Sequence, residues 1–445
     1  MKVSVVGTGY VGLVSGVCLA EKGHEVVCVD IDQSKVDMIN SGQPPIYEMG
    51  LEELLKNNIG NRMEATTDLA GAVKSSQITL IAVGTPFDGE RIDLKYVKQV
   101  ARDVGDIIKN KSDYHVVVVK STVVPGTTDD VVLPILEEQS GKKAGAGFGV
   151  GMNPEFLTEG VAVKDFMEPD RIVIGGNDDQ ALDVQAELYS PWDNVEVLRT
   201  NCKTAEMIKY SSNAMLATCI SFSNELANFC TALGGIDIAE VTRGLHLAHY
   251  LQPFVSDGAR VRAPISSFFE AGCGFGGSCL PKDVKALVAH GEAHGQPMPL
   301  LDTVIKINRE QPARVIKILE KHLGDLKDRK IGILGLAFKP DTDDMRESPS
   351  IPIIKTLKSL GASVRAYDPI AAEEAAKCFE PDTYERADSV ESAVADADAV
   401  VLITRWDEFN AVPELIARVN PEVLFVDARR MLDKSKFARY DGIGM

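Results

Sequence analysis

One layout is written twice in this chain. Lys2 to Val6 is a short, mostly β-branched run, followed by Gly7-Thr8-Gly9-Tyr10-Val11-Gly12, a helical stretch to Ala20, a Gly23-His24 turn, a second run from Glu25 to Val29, and Asp30. Far downstream, Lys330 to Leu334 leads into Gly335. A helical stretch from Ser350 to Leu360 then precedes Gly361, a run to Tyr367, and Asp368. Continuous apolar runs suit strands buried on both faces, and strand, glycine turn, helix and strand in that order make a parallel βαβ unit. Two copies of this layout imply α/β architecture with two doubly wound, Rossmann-like domains. The second glycine turn lacks the full G-x-G-x-x-G, so it is not expected to bind a dinucleotide in the same way.

Composition narrows the function. At 445 residues the chain exceeds a single core and suggests two or three domains. The formal net charge of −18 argues against nucleic acid, whose phosphates need a basic face. No apolar run approaches the ~20 residues of a membrane span, and the first residues read as a core strand rather than as a leader. Eight cysteines are scattered without a C-x-x-C pair. Cys18, Cys28, Cys219 and Cys230 lie in apolar patterns as packing residues, which fits a reducing cytoplasm. The few histidines show no metal-ligand spacing, so no metal is expected.

Further strands are expected at Ile78–Val83, His115–Lys120 and Phe148–Met152, each ending in a loop of small or polar residues. In an open parallel sheet the ligand lies beyond the carboxyl ends of strands, which makes these loops candidate site walls. Ala399–Thr404 and Val423–Asp427 read as strands of the second sheet. Between the sheets the text is helical, and Thr204 to Leu233 contains neither Pro nor Gly, giving a helix of ~45 Å. Such a helix has the length to bridge domains and to offer a face to another subunit, or simply to serve as a core helix. The expected division is 1–200, 201–315 and 316–445: a cofactor domain, a central helical domain that dimerises, and a second Rossmann-like domain.

Chemistry concentrates at a few positions. Gly7, Gly9 and Gly12 let a pyrophosphate approach a helix N-terminus. Asp30, 18 residues past Gly12, can accept both ribose hydroxyls and would repel a 2′-phosphate, which favours NAD, with Lys35 nearby. In Gly274–Asp283, GFGGSCLPKD, glycines precede Cys279 and Pro281 pre-sets a helical turn. A thiol beside a helix N-terminus is favoured as thiolate. Asp283, four residues on, shares its side of the helix. Lys209 and Asn213 stand four apart on the long helix, a spacing that can polarise a hydroxyl or hold an oxyanion, although a lysine there is more often a solvated charge. Asn153-Pro154 reads as a helix start, with Glu155 and Glu159 in its first turns as dipole partners or as groups that orient a water.

Together the motifs GTGYVG at 7–12, VGTP at 83–86, STVVPGTT at 121–128, NPEFLTEG at 153–160, the Lys209/Asn213 pair, GFGGSCLPKD at 274–283 and GLAFKPDTDDMRESPS at 335–350 resemble the UDP-glucose/GDP-mannose dehydrogenase family. The resemblance implies NAD-dependent, four-electron oxidation of a nucleotide sugar's C6 alcohol to a carboxylate, with UDP-glucose favoured over GDP-mannose. It implies that Lys209 and Asn213 steady the C6 oxygen and that Cys279 carries the carbon as thiohemiacetal and thioester. Glu155, Thr122, Asp283 and a water would move protons, with Glu159 near them. The cofactor would meet Tyr10, Val11, Thr85, Thr122, Glu159 and Arg346 besides the glycines, Asp30 and Lys35. The sugar nucleotide would meet Glu155, Phe156, Leu157, Lys209, Asn213, Phe275, Gly276 and Lys339. Arg260 or, preferentially, Arg262 would be lent by the partner of a homodimer. Two rival readings are a two-electron β-hydroxyacid-type dehydrogenase, which lacks the cysteine loop and third domain, and a non-catalytic NAD-sensing protein.

Overall fold

The computed structural model describes residues 1–255 and 258–445, and the chain divides into two compact units, Met1–Ser212 and Asn213–Met445. The first unit is built on eight strands: β1 (Lys2–Val6), β2 (Glu25–Val29), β3 (Met63–Thr66), β4 (Ile78–Ile81), β5 (Val116–Val119), β6 (Gly149–Met152), β7 (Ile172–Gly176) and β8 (Val197–Thr200). Their order is β3-β2-β1-β4-β5-β6-β7-β8, parallel except where β7 runs antiparallel to β6. β4, β5 and β6 are buried along their whole length, as their unalternating apolar text requires. The order reverses between β1 and β4, so a crevice opens at their carboxyl ends.

The second unit holds a parallel sheet of six: β9 (Lys330–Leu334), β10 (Ser363–Tyr367), β11 (Glu385–Arg386), β12 (Ala399–Leu402), β13 (Leu424–Asp427) and β14 (Arg439–Gly442), in the order β11-β10-β9-β12-β13-β14. The long helix runs from Cys202 to Leu233, from the first unit into the second, and stops at Gly234 and Gly235, both left-handed with φ of 71° and 73°. The architecture is therefore α/β with two Rossmann-like sheets and a central helical region. The strands expected from sequence agree to within two residues. β3, β7, β8, β11 and β14 lie outside the expected strands; β8 and β11 are largely exposed and carry little apolar signal, whereas β7 is as long and as buried as β1.

Repetition of layout did not repeat the site. Asp368 is buried, and its two oxygens accept from the Leu336, Ala337, Ile370 and Ala371 amides and from the Trp406 indole. That carboxylate is committed to its own turn, which leaves it unable to serve a ribose.

One expectation fails. No helix starts at Pro154; residues 153–158 are irregular, and the next helix is Ala162–Met167. Glu155 and Glu159 thus share no helical face. The physical reason is a competing acceptor: buried Glu48 takes the Gly160 amide at 2.7 Å and the Ala162 amide at 2.8 Å, which fixes the helix start there.

Candidate active site

In the first unit the glycine turn is shaped for a diphosphate. Gly7 has φ of 99°. A Cβ on Gly12 would stand 1.9 Å from the Gly7 carbonyl oxygen, so only glycine lets the helix pack on the turn. A Cβ on Gly9 would meet nothing within 4 Å, which leaves that face open to an approaching ligand. Tyr10 and Val11 begin the helix Tyr10–Glu21. Asp30 ends β2 and takes the Thr8 amide at 2.9 Å and the Thr8 hydroxyl at 2.6 Å on one oxygen, and the Asp32 amide on the other. Burial alone would raise its pKa, but the Thr8 hydroxyl, the Asp32 and Thr8 amides and the nearby Lys35 charge hold it below the usual carboxylate range. An ionised, half-exposed carboxylate at this point suits ribose hydroxyls. The residues present fit NAD.

Tyr10 also donates to Glu48, the carboxylate that caps residues 160–162, so the glycine turn and the loop bearing Glu159 are tied through one buried acid. Burial, then Glu48, push the Tyr10 phenol well up. Glu48 was invisible in the sequence, where it reads as an ordinary loop acid. Thr85 and Thr122, from the loops after β4 and β5, are brought together: the Thr85 hydroxyl donates to the Thr122 carbonyl at 2.7 Å.

Beyond β6 the chain carries Glu155, buried and paired with the buried Lys209 ammonium at 2.9 Å. Burial would raise this carboxyl, but Lys209, the Leu157 amide and the Lys120 charge together hold it down. Lys209 lies 5.7 Å from the centre of the Phe156 ring, whose other neighbour is the Arg171 guanidinium at 4.0 Å. The bland reading of Lys209 as a solvated charge is excluded by its burial.

In the second unit Cys279 sits at the N-cap of the helix Leu280–Ala293, with Pro281 in the first turn. The thiol is half-buried, 3.5 Å from the Ser278 hydroxyl. Asp283 is buried in the next turn and accepts from Asn213 at 2.6 Å and from Lys282 at 2.6 Å. The loop that delivers the cysteine is close-packed. A Cβ on Gly276 would meet the Glu347 carbonyl oxygen at 2.4 Å, and one on Gly277 the Phe338 ring at 2.7 Å. Asn308 grips the Phe275 backbone from both sides, at 2.7 and 2.9 Å, and Arg429 donates to the Gly274 carbonyl at 2.7 Å. Neither Asn308 nor Arg429 was singled out from sequence, since an amide in mid-helix and an arginine after a strand carry no distinguishing pattern.

The same loop segment, 338–347, carries Lys339, 5.8 Å from the centre of the Phe338 ring, and Arg346, paired with Asp344 at 2.7 Å. Arg262 is half-exposed and pairs with Glu270 at 2.6 Å, while Arg260 lies over Phe254 and donates to the Leu247 carbonyl.

A doubly wound sheet with an open glycine cradle, a buried lysine–glutamate pair and a cysteine at a helix N-terminus define an oxidoreductase of the dinucleotide-binding class. Comparison with known proteins makes this particular. Family models of the UDP-glucose/GDP-mannose dehydrogenase family match residues 1–193 as its NAD binding domain, 203–310 as its central domain and 332–434 as its UDP binding domain. A UDP-glucose 6-dehydrogenase of Haloferax volcanii is 42% identical over 448 residues, covering 100% of both chains. A GDP-mannose 6-dehydrogenase of Pseudomonas putida is 36% identical, again over 100% of both. The solved UDP-glucose dehydrogenase of Pyrobaculum islandicum superposes with a TM-score of 0.89 at 36% identity, over 99% of this chain and 97% of that one. The chain belongs to the UDP-glucose/GDP-mannose dehydrogenase family, and it is an NAD-dependent dehydrogenase. Among the described residues no helix is long and apolar enough to cross a membrane, and no group of three or more His, Cys, Asp or Glu could hold a metal ion.

Proposed function

We propose that this chain oxidises the C6 alcohol of UDP-glucose to the carboxylate of UDP-glucuronate, holding the carbon on Cys279 between the two oxidations. The observation that carries this is the 2.6 Å hydrogen bond from Asn213 to Asp283. It ties the amide best suited to a substrate oxygen to the helix whose N-cap is the thiol. Bound NAD supplies the acceptor for the electron pair released at each oxidation.

Lys209 and Asn213 hold the C6 oxygen as negative charge develops, while Glu155, with Thr122 and a water, takes the alcohol proton. At the aldehyde level the Cys279 thiolate attacks C6. A C–S bond forms, and the carbonyl electron pair moves to the oxygen held by Lys209 and Asn213. Oxidation of this thiohemiacetal leaves a thioester. Water, oriented by Asp283 and Glu155, adds to it; the C–S bond breaks, the thiolate departs, and a carboxylate and the water's two protons are released. A covalent adduct prevents escape of a reactive aldehyde, and thioester hydrolysis makes the sequence effectively one-way.

Phe156, Leu157, Phe275, Gly276 and Lys339 serve the sugar nucleotide in this reading, and Thr85, Glu159 and Arg346 serve the cofactor side. The roles divide over 1–200, 201–315 and 316–445. A homodimer fits the long helix, whose exposed residues include Met215, Phe222 and Phe229, seven apart. Arg262 is then the residue lent across. Eight cysteines without a disulfide fit a cytoplasmic enzyme.

UDP-glucose is preferred to GDP-mannose because the UDP-glucose relative is the more similar, 42% against 36%. Incubation of the protein and NAD with each nucleotide sugar, counting NADH against acid formed, tests the proposal. Two NADH per uronate with UDP-glucose support it. One NADH per product returns the chain to two-electron chemistry, none makes it a sensor, and preference for GDP-mannose moves the substrate.

A further inference from the structure

The mechanism above uses one of two lysines buried beside Glu155. The other, Lys120, follows β5 directly and is 2% exposed. Its ammonium donates to the Asn153 side-chain oxygen at 2.8 Å and lies 3.5 Å from the Tyr189 hydroxyl. Asn153 is itself fixed, its amide nitrogen donating to the Val173 carbonyl at 2.9 Å and its oxygen also accepting from Tyr189 at 2.5 Å. Lys120, Asn153, Glu155, Phe156, Arg171 and Tyr189 line one cavity beneath the 153–158 loop.

A hydrogen bond to an amide oxygen does not require a cation. Asparagine, tyrosine and a neutral donor would satisfy this corner without the cost of desolvating a buried ammonium. The charge therefore needs another justification, and the acid beside it provides one. In the proposed reaction Lys209 has two anions to serve, the Glu155 carboxylate and the developing C6 oxyanion. A single buried cation cannot fully neutralise both.

We propose that Lys120 is a positioning residue for Glu155: anchored on Asn153 and Tyr189 beneath the loop, it supplies the second positive charge that keeps Glu155 a carboxylate while Lys209 engages the substrate oxygen. This rests on the function proposed above. The groups that face Glu155 are Lys209 from the long helix, Lys120 from the end of β5 and the Leu157 amide of its own loop. Asp165, Glu168, Asp170 and Arg171 are the other charged side chains lining the cavity that Lys120 and Glu155 share; Arg171 stacks on Phe156 and Asp165 accepts from the Thr158 amide. Burial pushes Lys120 down to about 8, with Glu155 acting against that fall and Lys209 adding to it.

The test is the pH dependence of the single-turnover rate of NADH formation in Lys120→Met, Lys120→Gln and Lys120→Arg, each checked for native circular dichroism. Loss of a neighbouring cation raises a carboxyl's pKa, so the acid limb should move up by about one unit or more in both Met and Gln variants. The rate at the acid end then falls roughly tenfold per unit and recovers as pH rises. The Arg variant keeps the charge and should keep the wild-type limb even if its ceiling drops. Should Lys120→Met fail to fold, the Gln and Arg pair carries the comparison. An unmoved limb in Lys120→Gln, or wild-type rates in it, overturns the inference by showing that only the hydrogen bond mattered. Glu155→Gln separates the two levels. If it is inactive beside an unmoved Lys120 limb, this inference alone fails; if it is fully active, the proposed function falls and takes the inference with it.

Discussion

Cys279 and its neighbours show how much one side chain decides. Serine in its place suits the N-cap, where the Cys279 thiol makes no capping hydrogen bond and a hydroxyl is a preferred residue type. The Cys279→Ser variant should therefore fold and bind normally. The first oxidation should proceed, yet uronate formation should fall by at least about 10²-fold, since a serine hydroxyl stays un-ionised at neutral pH and is the poorer nucleophile, and an oxygen ester is the poorer intermediate. Following acid release and NADH separately checks this, and uronate formation at the normal rate would rule out the covalent scheme. Lys209 teaches the complementary lesson. Its type and spacing from Asn213 suggested oxygen binding, but only its burial against Glu155 removed the reading of a solvated charge.

At the scale of an element, the first βα turn gives a sharp contrast. Gly12 and Gly9 are both glycines of one motif, yet their reasons differ. Gly12→Ala drives a methyl to within 1.9 Å of the Gly7 carbonyl, so the turn must open and the helix Tyr10–Glu21 must shift. The expected outcome is loss of several kcal/mol of stability, as for overpacked or strained sites. Gly9→Ala meets empty space, so thermal unfolding should stay near wild type while NAD affinity drops at least tenfold, because the methyl occupies the face left for the ligand. Differential scanning calorimetry and NAD titration together distinguish the two, and equal stability losses would refute the assignment. The misread segment at 153–160 belongs to this scale too. Local text resembles a helix start, but a buried acid 112 residues before Gly160, Glu48, captures the amides that define where the helix begins.

For the whole molecule the open matter is assembly. Phe229 is 60% exposed, Met215 50% and Phe222 45%, and their seven-residue spacing sets them along one line of the long helix. Burial of such a row is worth about 2 kcal/mol for each well-packed aromatic. Replacing Phe222 and Phe229 with aspartate should convert the proposed dimer to monomer at micromolar concentration, measured by sedimentation velocity, and raise KM for the sugar nucleotide if the partner's arginine is withdrawn. A wild-type protein that sediments as a monomer would dispose of the dimer outright.

The chain text by itself determined the two doubly wound sheets, the dinucleotide turn, the long helix and the candidate cysteine. These depend on short-range causes: period of apolar residues, the need for glycine where backbones touch, and the absence of helix breakers. Only the folded structure decided which polar groups are buried and with whom. Glu155 with Lys209, Lys120 with Asn153, Asp283 with Asn213, Phe275 with Asn308, and Asp368 with the Leu336 amide are pairings between residues far apart in sequence. Charge in a low-dielectric interior is governed by such neighbours, and no local pattern encodes them.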